Sequence, residues 1–201
     1  RERNATKLAR EQSQLALKSL QSVIFDIQRR LENVPGAGDL RRSLLHTAIA
    51  RLQEVSDQFA AGSAVDRNTA AALQDLGDVF LRIGATSPGD VGGEGTLVAA
   101  RKLYEQAFQI AQKLAAADAT DAQAQRDLSV SYSKLGDVSL QAGQPQEALG
   151  QYQKTLEIRQ KLAAADPTDA QAQRDLSVSY SKLGDVLRQC GQVTEAIRQY
   201  Q

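Results

Sequence analysis

Residues 114–138 and 162–186 spell the same text twice. The two stretches, LAAADATDAQAQRDLSVSYSKLGDV and LAAADPTDAQAQRDLSVSYSKLGDV, are 25 residues long, lie 48 residues apart and differ only at Ala119 and Pro167. A chain that repeats itself at this spacing is built from supersecondary units, each too small to bury a core alone and each dependent on its neighbours. Such stacks offer an extended surface to a partner more readily than a pocket to a substrate.

The repeat extends beyond the near-identical stretch. Gly136 and Gly184 each sit in a Leu-Gly-Asp-Val run, followed twelve residues on by Ala148 and Ala196 and four further by Tyr152 and Tyr200. An older copy carries Leu76, Gly77, Asp78 and Val79, then Ala100 and Tyr104. Ala100 to Ala148 spans 48 residues, but Gly77 to Gly136 spans 59, so eleven extra residues enter the first copy, and the Gly- and Pro-containing stretch 85–95 reads as a flexible insert. The predicted organisation is an N-terminal non-repeat segment over 1–63, then units over 64–117, 118–165 and 166–201, the last truncated.

Each unit reads as a helical hairpin. In the last copy Asp166 is the expected N-cap, with Pro167 in the first turn and Asp169 at the positive helix end. Leu176, Val178, Tyr180, Leu183 and Leu187 follow, with a stop near Gly191; Gly143 is the matching stop one unit earlier, and Pro145 opens the next helix. Gly136 and Gly184 sit inside helices, where glycine costs about 1 kcal/mol against alanine. Close approach of the paired helix is the expected reason, with Ala148 and Ala196 as its small partners. In the N-terminal segment, Leu17, Leu20, Ile24, Ile27 and Leu31, then Leu45, Ile49, Leu52, Val55 and Phe59, fall on two helical faces. They predict a hairpin capping the stack. Both chain ends stop within helical patterns, so a segment of a longer protein is expected.

The Leu-Gly pair, the alanine twelve residues later and the aromatic four beyond it resemble the tetratricopeptide repeat. Tyr132, Leu135, Gly136, Ala148 and Tyr152 fall at the family's positions, as do Tyr180, Leu183, Gly184, Ala196 and Tyr200; Leu73, Leu76, Gly77, Phe80, Ala100 and Tyr104 make the older match. The period of 48 residues exceeds the family's usual 34. The extra residues lengthen each helix by about two turns, so the chain is most similar to long-helix variants such as those of kinesin light chains and large bacterial signalling proteins. The resemblance implies an all-α fold, a right-handed superhelix of about eight helices. It also implies that the first helices of successive units line a concave face. On that face would lie Gln74, Asp78 and Arg82; Arg126, Val130, Ser133, Asp137 and Gln141; and Arg174, Val178, Ser181, Asp185 and Gln189. Chaperone-binding members clamp a terminal carboxylate with Lys and Asn here, and Ser133 and Asp137 in those places argue against that activity.

Charge and chemistry narrow the function further. The chain carries 24 basic and 24 acidic residues, a net charge of zero, which argues against a nucleic-acid footprint. No apolar run is long enough for a membrane span. The single cysteine, Cys190, excludes an internal disulfide and fits a reducing, cytoplasmic compartment. His46 is the only histidine and cannot build a multi-histidine metal site. The stretch 89–96 lacks the Gly-Lys-Ser/Thr ending of a phosphate loop. Neither catalysis, a cofactor nor a metal is therefore expected. The mixed polar face suits an extended peptide or partner helix, which makes a protein-interaction scaffold in signalling the favoured reading. Two alternatives stand beside it: a structural module self-associating through its open C-terminal repeat, exposing Ile197 and Tyr200, and a sensor arm of a signalling enzyme. If Asp137 and Asp185 contact the partner, reversing both charges should abolish capture without lowering the melting temperature.

Overall fold

Two glycines with positive φ set the frame of the molecule. Gly143 (φ 73°) and Gly191 (φ 76°) take the left-handed conformation that ends helices. Behind each, the chain closes with the same pair of bonds: Gln144 N to Ser139 O at 2.9 Å and Gly143 N to Leu140 O at 3.1 Å, then Gln192 N to Leu187 O at 2.9 Å and Gly191 N to Arg188 O at 3.1 Å. The structure, a computed structural model, describes Ser43, Thr47 and residues 67–86 and 92–200. In it six helices follow in order: α1 (Arg67–Thr86), α2 (Gly92–Ala117), α3 (Ala122–Gln141), α4 (Pro145–Ala165), α5 (Ala170–Gln189) and α6 (Val193–Tyr200). There is no strand among the described residues. The hairpin expected over 1–63 and His46 lie outside the described residues. Ser43 and Thr47 are both helical, with Thr47 Oγ1 donating to Ser43 O.

The helix starts correct one expectation. Asp169, not Asp166, is the N-cap of α5, its carboxylate accepting from Gln171 N at 2.8 Å and Ala172 N at 3.1 Å. Asp121 does the same for α3. Asp166 instead folds the preceding turn, accepting from Thr168 N and Thr168 Oγ1. A carboxylate two residues before a backbone N–H favours such a local turn, and this one places Pro167 before the helix rather than in it. Each aspartate cap is worth about 1 kcal/mol.

The eleven added residues of the first copy also differ from expectation. Helix enters the insert from both sides: α1 runs through Thr86 and α2 starts at Gly92. Measured from the shared glycine and alanine, α1 gains four residues and α2 gains five, so the insert chiefly lengthens the hairpin.

Successive helices pack on one another, and α1 also meets α3. Two apolar clusters result. The first joins Leu73, Leu76, Val79 and Phe80 of α1 to Leu103 and Tyr104 of α2, and is closed by Leu135 and Val138 of α3. The second joins Leu149, Tyr152 and Leu156 of α4 to Leu183, Val186 and Leu187 of α5 and Ala196 of α6. In both, the lid comes from the next unit's first helix, so neither hairpin completes its own interior.

The mid-helix glycines have a reason other than the expected one. A Cβ on Gly136 would stand 2.5 Å from Tyr152 Cε1, and on Gly77 or Gly184 equally close to Tyr104 or Tyr200. It is the aromatic ring, not Ala148 or Ala196, that lies against the bare backbone.

Candidate functional site

The aspartates after Gly77 and Gly136 each face a tyrosine hydroxyl and a lysine ammonium from different helices. Asp78 Oδ1 accepts from Tyr104 OH at 2.6 Å, within the hairpin, and its carboxylate is gripped by Lys134 Nζ of α3 at 2.7 and 2.6 Å. One unit on, Asp137 Oδ1 accepts from Tyr152 OH at 2.7 Å, and Lys182 Nζ of α5 holds both its oxygens at 2.5 and 2.7 Å. Lys182 also donates to Ser133 Oγ at 3.0 Å and sits 5.5 Å from the centroid of the Tyr152 ring. Burial, followed by the aspartate, pushes the Tyr104 and Tyr152 phenols well above the ordinary tyrosine range. Both phenols therefore act as hydrogen-bond donors at neutral pH.

A second clasp repeats beside the first. Arg67 of α1 contacts Asp121 at 3.4 Å and Asp127 at 2.5 Å. Arg126 of α3 contacts Asp169 at 2.9 Å and Asp175 at 3.3 Å. Backbone bonds at the α5 start, chiefly from Ala172, and then Arg126 hold the Asp169 carboxyl below the usual range. Relative to the glycine of each unit, the rule is fixed. An arginine ten residues before it and an aspartate one after it receive, from the next unit, two aspartates fifteen and nine residues before its glycine and a lysine two before.

About half of the residues assigned from sequence to a partner-facing surface lie in this seam. Asp78, Arg126, Ser133 and Asp137 bind groups of the adjoining unit, and Gln74 Nε2 donates to Ser131 Oγ at 2.9 Å. Gln141 Nε2 reaches back to Leu81 O at 3.2 Å, and Arg82 Nε donates to Asp78 O of its own helix; both side chains stay exposed. Arg174, Ser181, Asp185 and Gln189 are also exposed. Ser181 donates within its own helix to Ser177 O, and Asp185 accepts from Tyr200 OH at 2.7 Å. Charge reversal at Asp137 is therefore expected to lower the melting temperature, contrary to the sequence expectation, because it would strand Lys182 and Tyr152.

The lysines, the tyrosine hydroxyls and Arg67 were not among the residues assigned from sequence. The signal was present as charges recurring at fixed positions, the arginine and the aspartate after the glycine in all three copies and the lysine in the last two, but only the ion pairs from α3 onto α1 and from α5 onto α3 bring them together. Arg159 was missed as well. It is 7% exposed, donating to Ser129 Oγ at 3.1 Å, Ser179 Oγ at 3.0 Å and Asp175 O at 2.9 Å.

One crevice of about 430 Å³ lies between the α2–α3 turn and the end of α4, lined by Thr120, Gln125, Ile158, Lys161 and Leu162 among others. Lys161 is the only ionisable group in its wall. No group of three or more metal-ligating side chains occurs among the described residues, and none of their helices is long and apolar enough to cross a membrane. Cys190 caps α5 and packs against the second apolar cluster.

Residues 128–169 match the family model of the tetratricopeptide repeat. The matched stretch runs from within α3, through α4, to the N-cap of α5, and so covers one hairpin and its junction with the next. It supports a repeat of the tetratricopeptide family, a kind that generally mediates protein–protein interaction and is typically non-catalytic. Among curated proteins none matches the chain.

Proposed function

We propose that this chain is a protein-interaction scaffold that holds an extended peptide or a partner domain along the face of α1, α3 and α5. In this reading the hairpins form a right-handed solenoid of the long-helix kind, similar to the arrays of kinesin light chains and large bacterial signalling proteins, and the module serves a signalling protein. The lone cysteine supports a reducing, cytoplasmic setting.

The observation that carries this reading is the seam. Two clasps, each tying an aspartate to a lysine of the next unit, fix the spacing of the first helices. That rigidity removes part of the ordering cost a partner would otherwise meet on binding. The exposed row at the rim, Arg82, Gln141 and Gln189, then repeats donor groups at the spacing of the units. Such a row suits the carbonyls and carboxylates of an extended chain.

The test is selection of peptides from a random library on the immobilised chain, followed by titration against a triple variant, Arg82→Glu, Gln141→Glu and Gln189→Glu. Selected peptides should bind the variant at least about tenfold more weakly, while its stability falls by no more than about 1 kcal/mol, the worth of the Gln141–Leu81 bond that Gln141→Glu removes. Recovery of no peptide, or of peptides indifferent to the triple variant, overturns the proposal.

A further inference from the structure

The face that α3 lays on the first hairpin is written a second time in α5. Onto α1, α3 brings Asp121 and Asp127 to Arg67, Ser131 to Gln74, Lys134 to Asp78 and Gln141 to the Leu81 carbonyl. Its Leu135 and Val138 close the apolar cluster beneath. The five polar residues recur 48 residues later as Asp169, Asp175, Ser179, Lys182 and Gln189, and the apolar pair recurs as Leu183 and Val186. The receiving side repeats as well, since Arg67 and Asp78 of α1 match Arg126 and Asp137 of α3. Unit one does lack the partner that α4 gives to α5. Ala111 of α2 stands where Arg159 reaches Ser179 Oγ and Asp175 O. A buried guanidinium contributes little net stability, so this difference discriminates weakly between the two arriving helices.

We propose that the α1–α2 hairpin accepts α5 in place of α3, so that part of the folding population enters a slipped isomer with residues 118–165 looped out. The native stack wins at equilibrium, because it joins three hairpins where the slipped isomer joins two. Entry is decided earlier, by which helix arrives first. The tether from α2 is residues 118–121 to α3 and 118–169 to α5. Loop closure falls off as roughly the three-halves power of tether length, so α5 arrives first in about one chain in fifty. Escape is slow, because the α5 junction must open before α3 can enter. Competing minima of this kind are kinetic traps. Connectivity, and not the chemistry of the interface, therefore fixes the order of the units.

Crosslinking during refolding tests this. In a Cys190→Ser chain, Arg82→Cys with Gln141→Cys reports native pairing, since Gln141 lies on Leu81. Arg82→Cys with Gln189→Cys reports the slipped pairing, and all three positions are exposed. Each chain is diluted from urea into a short bismaleimide, whose reach avoids the strict geometry of a disulfide. Crosslinked monomers are isolated by size and mapped by mass spectrometry. The 82–189 product is expected at about 2% of the 82–141 yield, and is not expected when the linker is added to folded protein.

Two charge reversals move that yield in opposite directions. Asp127→Arg with Lys134→Glu sets α3 against Arg67 and Asp78, and should raise the 82–189 product at least about tenfold because like charges reject the native arrival. Asp175→Arg with Lys182→Glu sets α5 against the same pair and should remove the product. Equal 82–189 yields from the parent and both reversed chains would mark random collision and overturn the proposal, as would no product from the chain with α3 reversed. Product confined to crosslinked dimers would bring α5 from another copy and overturn the slipped monomer. Equal yield from folded protein would show that the linker spans the native stack, and overturns it as well.

Discussion

Replacing Gly136 with alanine adds one methyl group where the Tyr152 ring of α4 lies against the α3 backbone. Two effects oppose each other. Alanine is favoured over glycine within a helix by about 1 kcal/mol. Against that, the new Cβ would stand 2.5 Å from Tyr152 Cε1, 2.8 Å from Cδ1 and 3.0 Å from Cζ. Carbon atoms in favourable contact lie roughly 3.5–4.0 Å apart, so the ring must retreat by about 1 Å. It has no free direction, because it is buried and its hydroxyl is fixed on Asp137. Overpacking of this kind costs about 1–3 kcal/mol, and a lost tyrosine hydrogen bond adds about 1 kcal/mol. The net expectation is a destabilisation of about 1–3 kcal/mol. Gly184→Ala is the internal control. It meets Tyr200 just as closely, but that ring is half exposed and can swing outward, so the helix preference offsets the clash and the variant stays within about 1 kcal/mol of the parent. Urea unfolding followed by circular dichroism at 222 nm measures both. Equal effects at the two sites, or a Gly136→Ala protein as stable as the parent, would refute the assignment of these glycines to ring contact.

The clasp predicts a second asymmetry between matching positions. Asp137→Ala should cost about 2–3 kcal/mol, because it strands a half-buried ammonium and a buried phenol, whereas Asp185→Ala should cost under about 1 kcal/mol; chemical denaturation compares them directly. Stability should also fall as pH rises past about 10, the ordinary tyrosine value. Above it the unfolded phenols of Tyr104 and Tyr152 lose their protons while the folded ones, with raised pKa, retain them. Folded protein then binds more protons than unfolded, so the slope is negative, up to about 1.4 kcal/mol per pH unit for each tyrosine. Melts from pH 8 to 11 should be flatter for a Tyr104→Phe, Tyr152→Phe protein. Arg159→Met should lie within about 1 kcal/mol of the parent or above it, since Ser129 and Ser179 still donate to backbone carbonyls and no charge is left buried. Arg159→Ala should cost about 2–4 kcal/mol through the cavity it leaves; both are read by urea titration.

The sequence by itself determined the unit, because the relevant physics is local. Helix period, aspartates at helix starts, and Gly143 and Gly191 at helix ends act over a few residues, and the structure follows them, apart from a cap moved from Asp166 to Asp169 by a competing turn. The tetratricopeptide spacing of Leu135, Gly136, Ala148 and Tyr152 was equally legible. The candidate site was legible only in outline. Asp78, Asp137 and Arg126 were visible as recurring charges, but sequence assigned them outward, whereas the packing of first helix on first helix turns them inward onto Lys134, Lys182, Asp169 and Asp175.

Tertiary structure alone decided which copy of a residue is core and which is surface. Asp137 and Asp185 stand in the same sequence, as do Arg126 and Arg174. Up to Val138 and Val186 their neighbours along the helix are the same. They differ because α5 brings Asp169, Asp175 and Lys182 onto α3, while the described residues bring no such helix onto α5. Burial and ion pairing are properties of a surface and what covers it, so a repeated text can carry two environments.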